Sequence, residues 1–348
     1  MRSCLALLLL GISFGIAAPG FAQPKPDQTV AGIALLQGEN RLQALIEGAK
    51  KEGELNVYLV YPGVVMITDA FTKKYGIKVK NWRSSSENVL QRVVSEARGG
   101  RFEVDITENN APEMEALHRE KLLQQVRSPY LNDLMPQAIP AHKEWVGTSI
   151  DMFVQAYNTE KIKKEELPKT YQDLLDPKWK DRLGIEEGDQ HWFAYVLQEL
   201  GQEKGIKLFK DIVAANGMSV RKGHSLLGQM VASGEVPLAL TLYSWGPDQL
   251  KQKGAPVDRF NISQPIAQFR GLGLLKKVPH PHAAVLFYDF MLTDGQEILS
   301  KQHAIATSNK FDAAQKKVPM KFIDPAVFLD NNEKWLQTFD KVFVKRTK

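Results

Sequence analysis

Residues 221–245 read RKGHSLLGQMVASGEVPLALTLYSW. The stretch holds a turn, a helix, a second turn and a strand. Gly223-His224-Ser225 opens the helix, with Ser225 expected as its N-cap. Leu226, Leu227, Met230 and Val231 recur at helical spacing, and Ser233-Gly234 stops the run. Pro237 to Leu242 is a short apolar segment, as expected of a strand covered on both faces. Tyr243-Ser244-Trp245 follows, where a parallel α/β sheet opens its ligand crevice, at the carboxyl ends of the strands. The stretch therefore predicts one lobe of a ligand-binding protein, presenting its recognition residues to a facing lobe built elsewhere in the chain.

Upstream, the same rhythm repeats. Strands are expected over 55–60, 77–82 and 103–107. Helices follow each of them, broken at Gly76 and at Gly99-Gly100. This alternation predicts a parallel sheet with helices on both faces. Each strand leads into a polar loop: Tyr61-Pro62-Gly63, Arg83 to Ser86, and Glu108-Asn109-Asn110. Side by side, such loops form a crevice of hydroxyls, amides and helix N-termini that suits an anion or a polar ligand. Ser84, Ser85 and Ser86 read equally as ligand contacts and as competitors to cap one helix. Residues 23–39, with Pro24, Pro26 and Gly38, read as a loosely held leader.

Downstream, 145–157 is an extended segment taken as the first crossing between lobes, and 271–276 is a strand expected to return. A helix is expected over about 283–300. The expectation is a two-lobed α/β fold, its lobes interleaved in sequence around a central cleft. Residues 40–150 and 272–320 would form lobe 1; residues 151–271 and 321–348 would form lobe 2.

Composition narrows the class. The chain has 348 residues, 43% hydrophobic and 24% charged, the profile of an ordinary globule, and its length favours two lobes. Met1-Arg2-Ser3, the apolar run to Ala18 and the small residues before Ala22 form an export signal, with cleavage expected after Ala22. The single cysteine, Cys4, falls inside that signal. A mature chain without thiols has no cysteine nucleophile, zinc-thiolate site or disulfide. The location implied is the periplasm. A net charge of +5 is spread among acids, and no basic run interleaves with aromatics, so nucleic acid is not an expected partner. There is no G-x-S-x-G elbow, Walker A loop or H-E-x-x-H helix. No cofactor is called for, and a monomer is expected.

Four segments carry a family resemblance: VYLVYPG…FTKKYGIKVK, YNTEKIKKEELPKTYQDLLDPKWKDRLGI, ASGEVPLALTLYSW, and GLGLLKK…PHPHAAVLFYDFMLTDGQEIL. In this order they resemble the periplasmic solute-binding proteins of ABC importers (extracellular solute-binding protein family 1), in particular the subgroup that includes ferric-ion-binding proteins. The resemblance spans about Leu42 to Leu299. It implies the type II periplasmic-binding-protein fold, two α/β lobes joined by a hinge that close on a ligand and then engage a membrane permease, with no chemistry performed. The ferric subgroup holds its metal on a histidine after the first strand, a glutamate after the third and an adjacent tyrosine pair. Here the first position falls on Tyr61-Pro62-Gly63, the second near Asn110 with Glu108 two residues away, and the pair on Ser244 and Trp245 after Tyr243. A hard trivalent ion prefers anionic oxygen donors, which a Ser-Trp pair does not supply.

The expected cargo is therefore a small polar organic solute, anionic in character. Tyr61, Trp192, Tyr243 and Trp245 would enclose it. Ser84, Ser85, Ser86, Asn109, Asn110, Glu187, His191, His224, Ser225 and Ser244 would bond it. An alternative cargo is ferric ion or a ferric chelate held by Glu108, Glu187 and Tyr243. Another alternative is an exported enzyme using Glu187, Asp189 and His191 as an acid/base set. The Glu186-Glu187-Asp189-His191 cluster also reads as an acidic helix N-terminus. His280-Pro281-His282 reads as structural, with Pro281 starting a helix.

Overall fold

A computed structural model describes residues 29–344; the expected export signal lies outside them. Helices α1 (Val30–Ala34) and α2 (Arg41–Glu52) precede β1 (Glu54–Leu59). Next come α3 (Val64–Tyr75), β2 (Lys78–Arg83), α4 (Ser86–Arg98), β3 (Ile106–Asn110), α5 (Ala111–Arg119) and β4 (Leu123–Gln124). The long strand β5 (Val146–Asn158) leads to β6 (Leu183–Glu186), α6 (Gln190–Leu200), α7 (Gln202–Asn216), β7 (Ser219–Arg221), α8 (His224–Ser233), β8 (Leu238–Tyr243), α9 (Trp245–Gln252) and β9 (Val257–Phe260). The chain returns along β10 (Ile266–Leu275) into α10 (Pro281–Leu292), α11 (Asp294–Lys301), β11 (Ile305–Ala306), α12 (Ala313–Lys316) and β12 (Lys321–Phe322). It ends in α13 (Pro325–Asp330) and α14 (Asn332–Phe343).

The main sheet path runs β2-β1-β3-β10-β5-β8-β6-β7. Its outer thirds are parallel, β2 and β3 flanking β1, and β7 and β8 flanking β6. Its centre is antiparallel, because β10 opposes both β3 and β5, and β5 opposes β8. The parallel pairing expected for the first three strands is found, and the antiparallel centre joins that parallel part to the second one. Strand β5 is buried at every position and belongs to both halves: Val146 to Met152 pair with β10, and Phe153 to Asn158 with β8 and β9. Helices cover both halves. In one, Phe71, Phe287 and Phe290 meet edge-on; in the other, Trp192, Phe193, Phe209 and Phe343 do. Each such side chain contributes about 1.5–3 kcal/mol by burial, enough to make each half a firm support for its loops.

Several local expectations are revised. Strand β3 lies three residues later than expected, so Glu108, Asn109 and Asn110 are strand rather than loop. Their polar side chains find partners there: Glu108 accepts the N–H groups of Val60 and Tyr61, and the amides of Asn109 and Asn110 donate to Ser86. Helix α8 begins at His224 with Gly223 as its N-cap, not at Ser225. Gly223 has φ of 102°, a region that favours glycine, and its N–H donates to Glu186 Oε1 at 2.8 Å. The helix expected over 283–300 is two helices, broken at Thr293, whose hydroxyl donates to Asp289 O. The segment 29–39 is not loose throughout: Thr29 caps α1, and Ile33 and Ala34 are buried. Helix α14 packs on α6 and α7, whereas α13 packs on α5.

Candidate functional site

A cleft of about 750 Å³ lies between the two halves of the sheet. One wall comes from the loops after β1 and β2 and the start of α5. The other comes from the loops after β6, β7 and β8. Of the residues expected at the site, Tyr61, Ser84, Ser85, Ser86, Asn110, Glu187, His191, His224, Ser225, Tyr243 and Trp245 line this cleft. Three do not. Asn109 is buried in β3, its amide donating to Ser86 O and its Oδ1 accepting from Asn110 N–H. Trp192 packs in the core against Tyr171 and Phe209. Ser244 is buried, with its N–H donated to Met152 O. Of the alternative iron ligands, Glu187 and Tyr243 line the cleft. Glu108 sits beneath it, fully buried, accepting from the N–H groups of Val60 and Tyr61.

The serine wall has a consistent polarity. Ser84 Oγ accepts from Asn88 Nδ2, Ser85 Oγ from Asn88 N–H as the cap of α4, and Ser86 Oγ from Asn110 Nδ2. Among the described residues none of the three hydroxyls donates to a protein acceptor, so each keeps a hydrogen for the cleft. Capping and ligand contact are therefore compatible at Ser85. The wall stands at the N-terminus of a thirteen-residue helix, where the macrodipole adds positive character.

The opposite wall is acidic. Glu186 accepts from Gly188 N–H at 2.6 Å and from Gly223 N–H. Burial pushes its carboxyl up despite the opposing charge of His224. His224 Nε2 lies 3.1 Å from Asp189 Oδ2, and its ring stacks on Tyr243 at 4.1 Å. Burial pulls the His224 pKa down, but Asp189, Glu186 and Asp151 outweigh it and hold it at about 9. His191 is driven by burial to about 4, so it is neutral, and its Nε2 has no partner among the described residues. On the serine side, burial raises Glu113 to about 7, leaving a carboxyl poised between donor and acceptor.

The floor holds a residue the sequence reading missed. Arg270 of β10 is 2% exposed. Its Nη2 donates to Asp151 Oδ2, its Nε faces Glu108 Oε1 at 3.0 Å, and its guanidinium lies 4.4 Å from the Tyr61 ring centroid. Nη1 has no partner among the described residues. Trp245 closes over this group, edge-on to Tyr61 at 4.8 Å, with Nε1 donating to Asp151 Oδ1. Gln249 of α9 donates to the Tyr61 hydroxyl across the cleft at 3.2 Å. An arginine within a strand that is apolar apart from Gln268, IAQFRGLGLL, was the available signal. Its partners could not be read from the sequence. His280 and His282 are structural, bonded separately to Asp105 and Glu52.

A mixed sheet with a shared central strand and a polar cleft between its halves defines a two-lobed binding protein of type II periplasmic architecture. The chain belongs to the family described as bacterial extracellular solute-binding protein, whose profile matches residues 109–331. It is 29% identical over 269 residues to an Fe(3+)-binding periplasmic protein of Serratia marcescens, covering 74% of this chain and 79% of that one. A major ferric iron-binding protein of Neisseria meningitidis is 24% identical over 275 residues, covering 73% and 82%. Among solved structures, iron-bound HitA of Pseudomonas aeruginosa superposes with a TM-score of 0.70 at 25% identity, covering 83% of this chain and 99% of that one. AfuA of Actinobacillus pleuropneumoniae, with fructose-6-phosphate bound, shares the fold at a TM-score of 0.73 and 21% identity, covering 84% and 99%.

Proposed function

We propose that this protein is the periplasmic substrate-binding component of an ABC importer and that it captures a small polar organic anion carrying its own hydrogen-bond donors. The observation that carries this reading is the serine wall: three hydroxyls whose acceptor sites are used internally and whose hydrogens are left for a ligand acceptor. Arg270 Nη1 and His224 add positive groups at the floor and far wall. The carboxylates of Glu187 and Asp189 face them and suit hydroxyl or amine donors on the same ligand. Closure of the lobes around such a ligand stabilises the state that a permease engages.

A second reading, ferric ion or a ferric chelate, is favoured by the iron-binding relatives and by Glu186, Asp189 and His224, which offer three ligand atoms within 4.8 Å of one another. Against it, burial raises Tyr61 to about 12 and holds Tyr243 well above its ordinary value, the Tyr243 oxygen accepting from Gln268 Nε2. Forming tyrosinate there is costly. The carboxylates are also engaged, Glu186 by backbone N–H groups and Asp189 by His224.

Native mass spectrometry of the mature protein, purified without refolding, tests the proposal. The expected result is a co-purified organic anion, and a thermal shift with organic phosphates or hydroxycarboxylates that is lost in the Ser84→Ala/Ser86→Ala double variant. An iron-loaded protein with a visible tyrosinate charge-transfer band overturns it in favour of the second reading.

A further inference from the structure

A second cluster lies outside the cleft. Glu115 and His118 are three residues apart on α5 and so share one face. The segment before β5 brings His142 and Glu144 against that face. His118 Nδ1 lies 2.6 Å from Glu144 Oε2, and His142 Nε2 lies 3.3 Å from Glu115 Oε2. The two imidazoles stack with centroids 3.7 Å apart and planes 11° apart. One ligand atom from each of His118, His142 and Glu144 lies within 4.8 Å of the other two. The side chains are only 11–29% exposed, so the groups are held rather than free on the surface.

The hydrogen-bond pattern assigns roles. His142 Nδ1 accepts the Glu144 backbone N–H at 3.1 Å, so its lone pair is on Nδ1 and its proton on Nε2, toward Glu115. Glu115 Oε2 stands 3.3 Å from that nitrogen without hydrogen-bond geometry, close enough to be drawn onto it, and a carboxylate on the remote N–H orients metal-ligating histidines. Glu144 stands beside His118 in the position of an anionic donor.

We infer that His118, His142 and Glu144 form a binding site for a divalent zinc-type ion, with Glu115 orienting His142. Two nitrogen donors and one carboxylate favour zinc over magnesium or calcium, which prefer all-oxygen sites. Ligand atoms about a tetrahedral zinc stand about 3.4 Å apart, whereas His118 Nδ1 and Glu144 Oε2 stand 2.6 Å apart and the set as a whole lies within 4.8 Å, so the donors must rearrange on binding. The stacked rings must also turn so that their lone pairs converge, which releases the bond to the Glu144 N–H. Bound metal would tie the C-terminal end of α5, whose other end borders the cleft, to the segment entering β5.

The experiment strips the mature protein with a chelator and titrates zinc against a chromophoric competitor. One ion per chain is expected to bind outside the cleft. Affinity should fall by about tenfold or more in His118→Ala and in Glu144→Gln, which keeps the hydrogen bond to His118 but loses the charge. The cleft variant Asp189→Asn should retain the same zinc affinity. Cobalt should give visible ligand-field absorption that both cluster variants lose, with far-UV circular dichroism unchanged. Zinc binding unaltered by Glu144→Gln and His118→Ala, or lost only in Asp189→Asn, overturns the assignment.

Discussion

Arg41 and Arg270 are both buried and both face an aspartate. Arg41 forks onto Asp289 through two nitrogens and donates Nε to Leu36 O at 2.9 Å, fastening α2 to α10. Arg270 faces two carboxylates, Asp151 and Glu108, yet among the described residues Nη1 is unbonded, and an aromatic ring rather than an acceptor covers its face. The first pair is complete and joins two helices. The second is incomplete and lies at the edge of a cleft. A buried charge with an unused donor costs stability, and its retention beside a cavity is the mark of a group reserved for something else.

Breaking Arg270 gives the largest expected effect. Arg270→Met leaves Glu108 and Asp151 buried without a cation and should cost about 3–5 kcal/mol in urea unfolding at pH 7. Both carboxyls are already pushed up by burial, and in the variant they are stable only when protonated. The deficit should therefore shrink as pH falls and grow as pH rises. Ligand-induced thermal shifts should vanish with it.

Arg41→Met should cost a comparable but smaller amount, about 3 kcal/mol, and leave ligand affinity unchanged. Equal loss of affinity in both variants would erase the distinction between the two arginines.

His224 sharpens the comparison on the opposite wall. Its folded pKa of about 9 is above the ordinary value of 6.5. The stabilisation from its pairing is fully present below pH 6.5 and is lost as pH rises through 9. Wild type should exceed His224→Gln by about 2–3 kcal/mol at pH 6. The two urea midpoints should converge by pH 10, and a gap that persists there would contradict the ion-pair account.

The smallest effect belongs to the serine wall. Ser85→Ala removes a helix cap and should cost about 1 kcal/mol. Ser84→Ala, which caps nothing, should stay within about 0.5 kcal/mol. Both should weaken ligand binding. A Ser84→Ala variant with wild-type affinity would take that hydroxyl out of the site.

Much of this arrangement was legible in local pattern. The breaks at Gly76 and Gly234 fall where helices end with a left-handed residue, because glycine alone adopts that conformation without strain. Ser84, Ser85 and Ser86 were visible as cleft-lining residues because they stand consecutively at a strand-to-helix junction. Arg270 was not, because its role depends on Glu108 and Asp151, which are 162 and 119 residues away in sequence. Trp192 was misplaced for the opposite reason: an aromatic beside a polar loop looks exposed until the helix phase turns it inward onto Phe209.

The sequence by itself determined the elements, their strand–helix order and the polar loops that close on one another, since propensity, periodicity and turn chemistry act over a few residues. Only the tertiary structure decided that β10 runs against β3 and β5. That reversal carries Arg270 under the cleft, buries Glu108 and Asn109 in a strand, and leaves Trp245 as the cover over a charge. Strand direction and partner are set by contacts between segments far apart in the chain, and those contacts decide which polar groups are satisfied by the protein and which remain for a ligand.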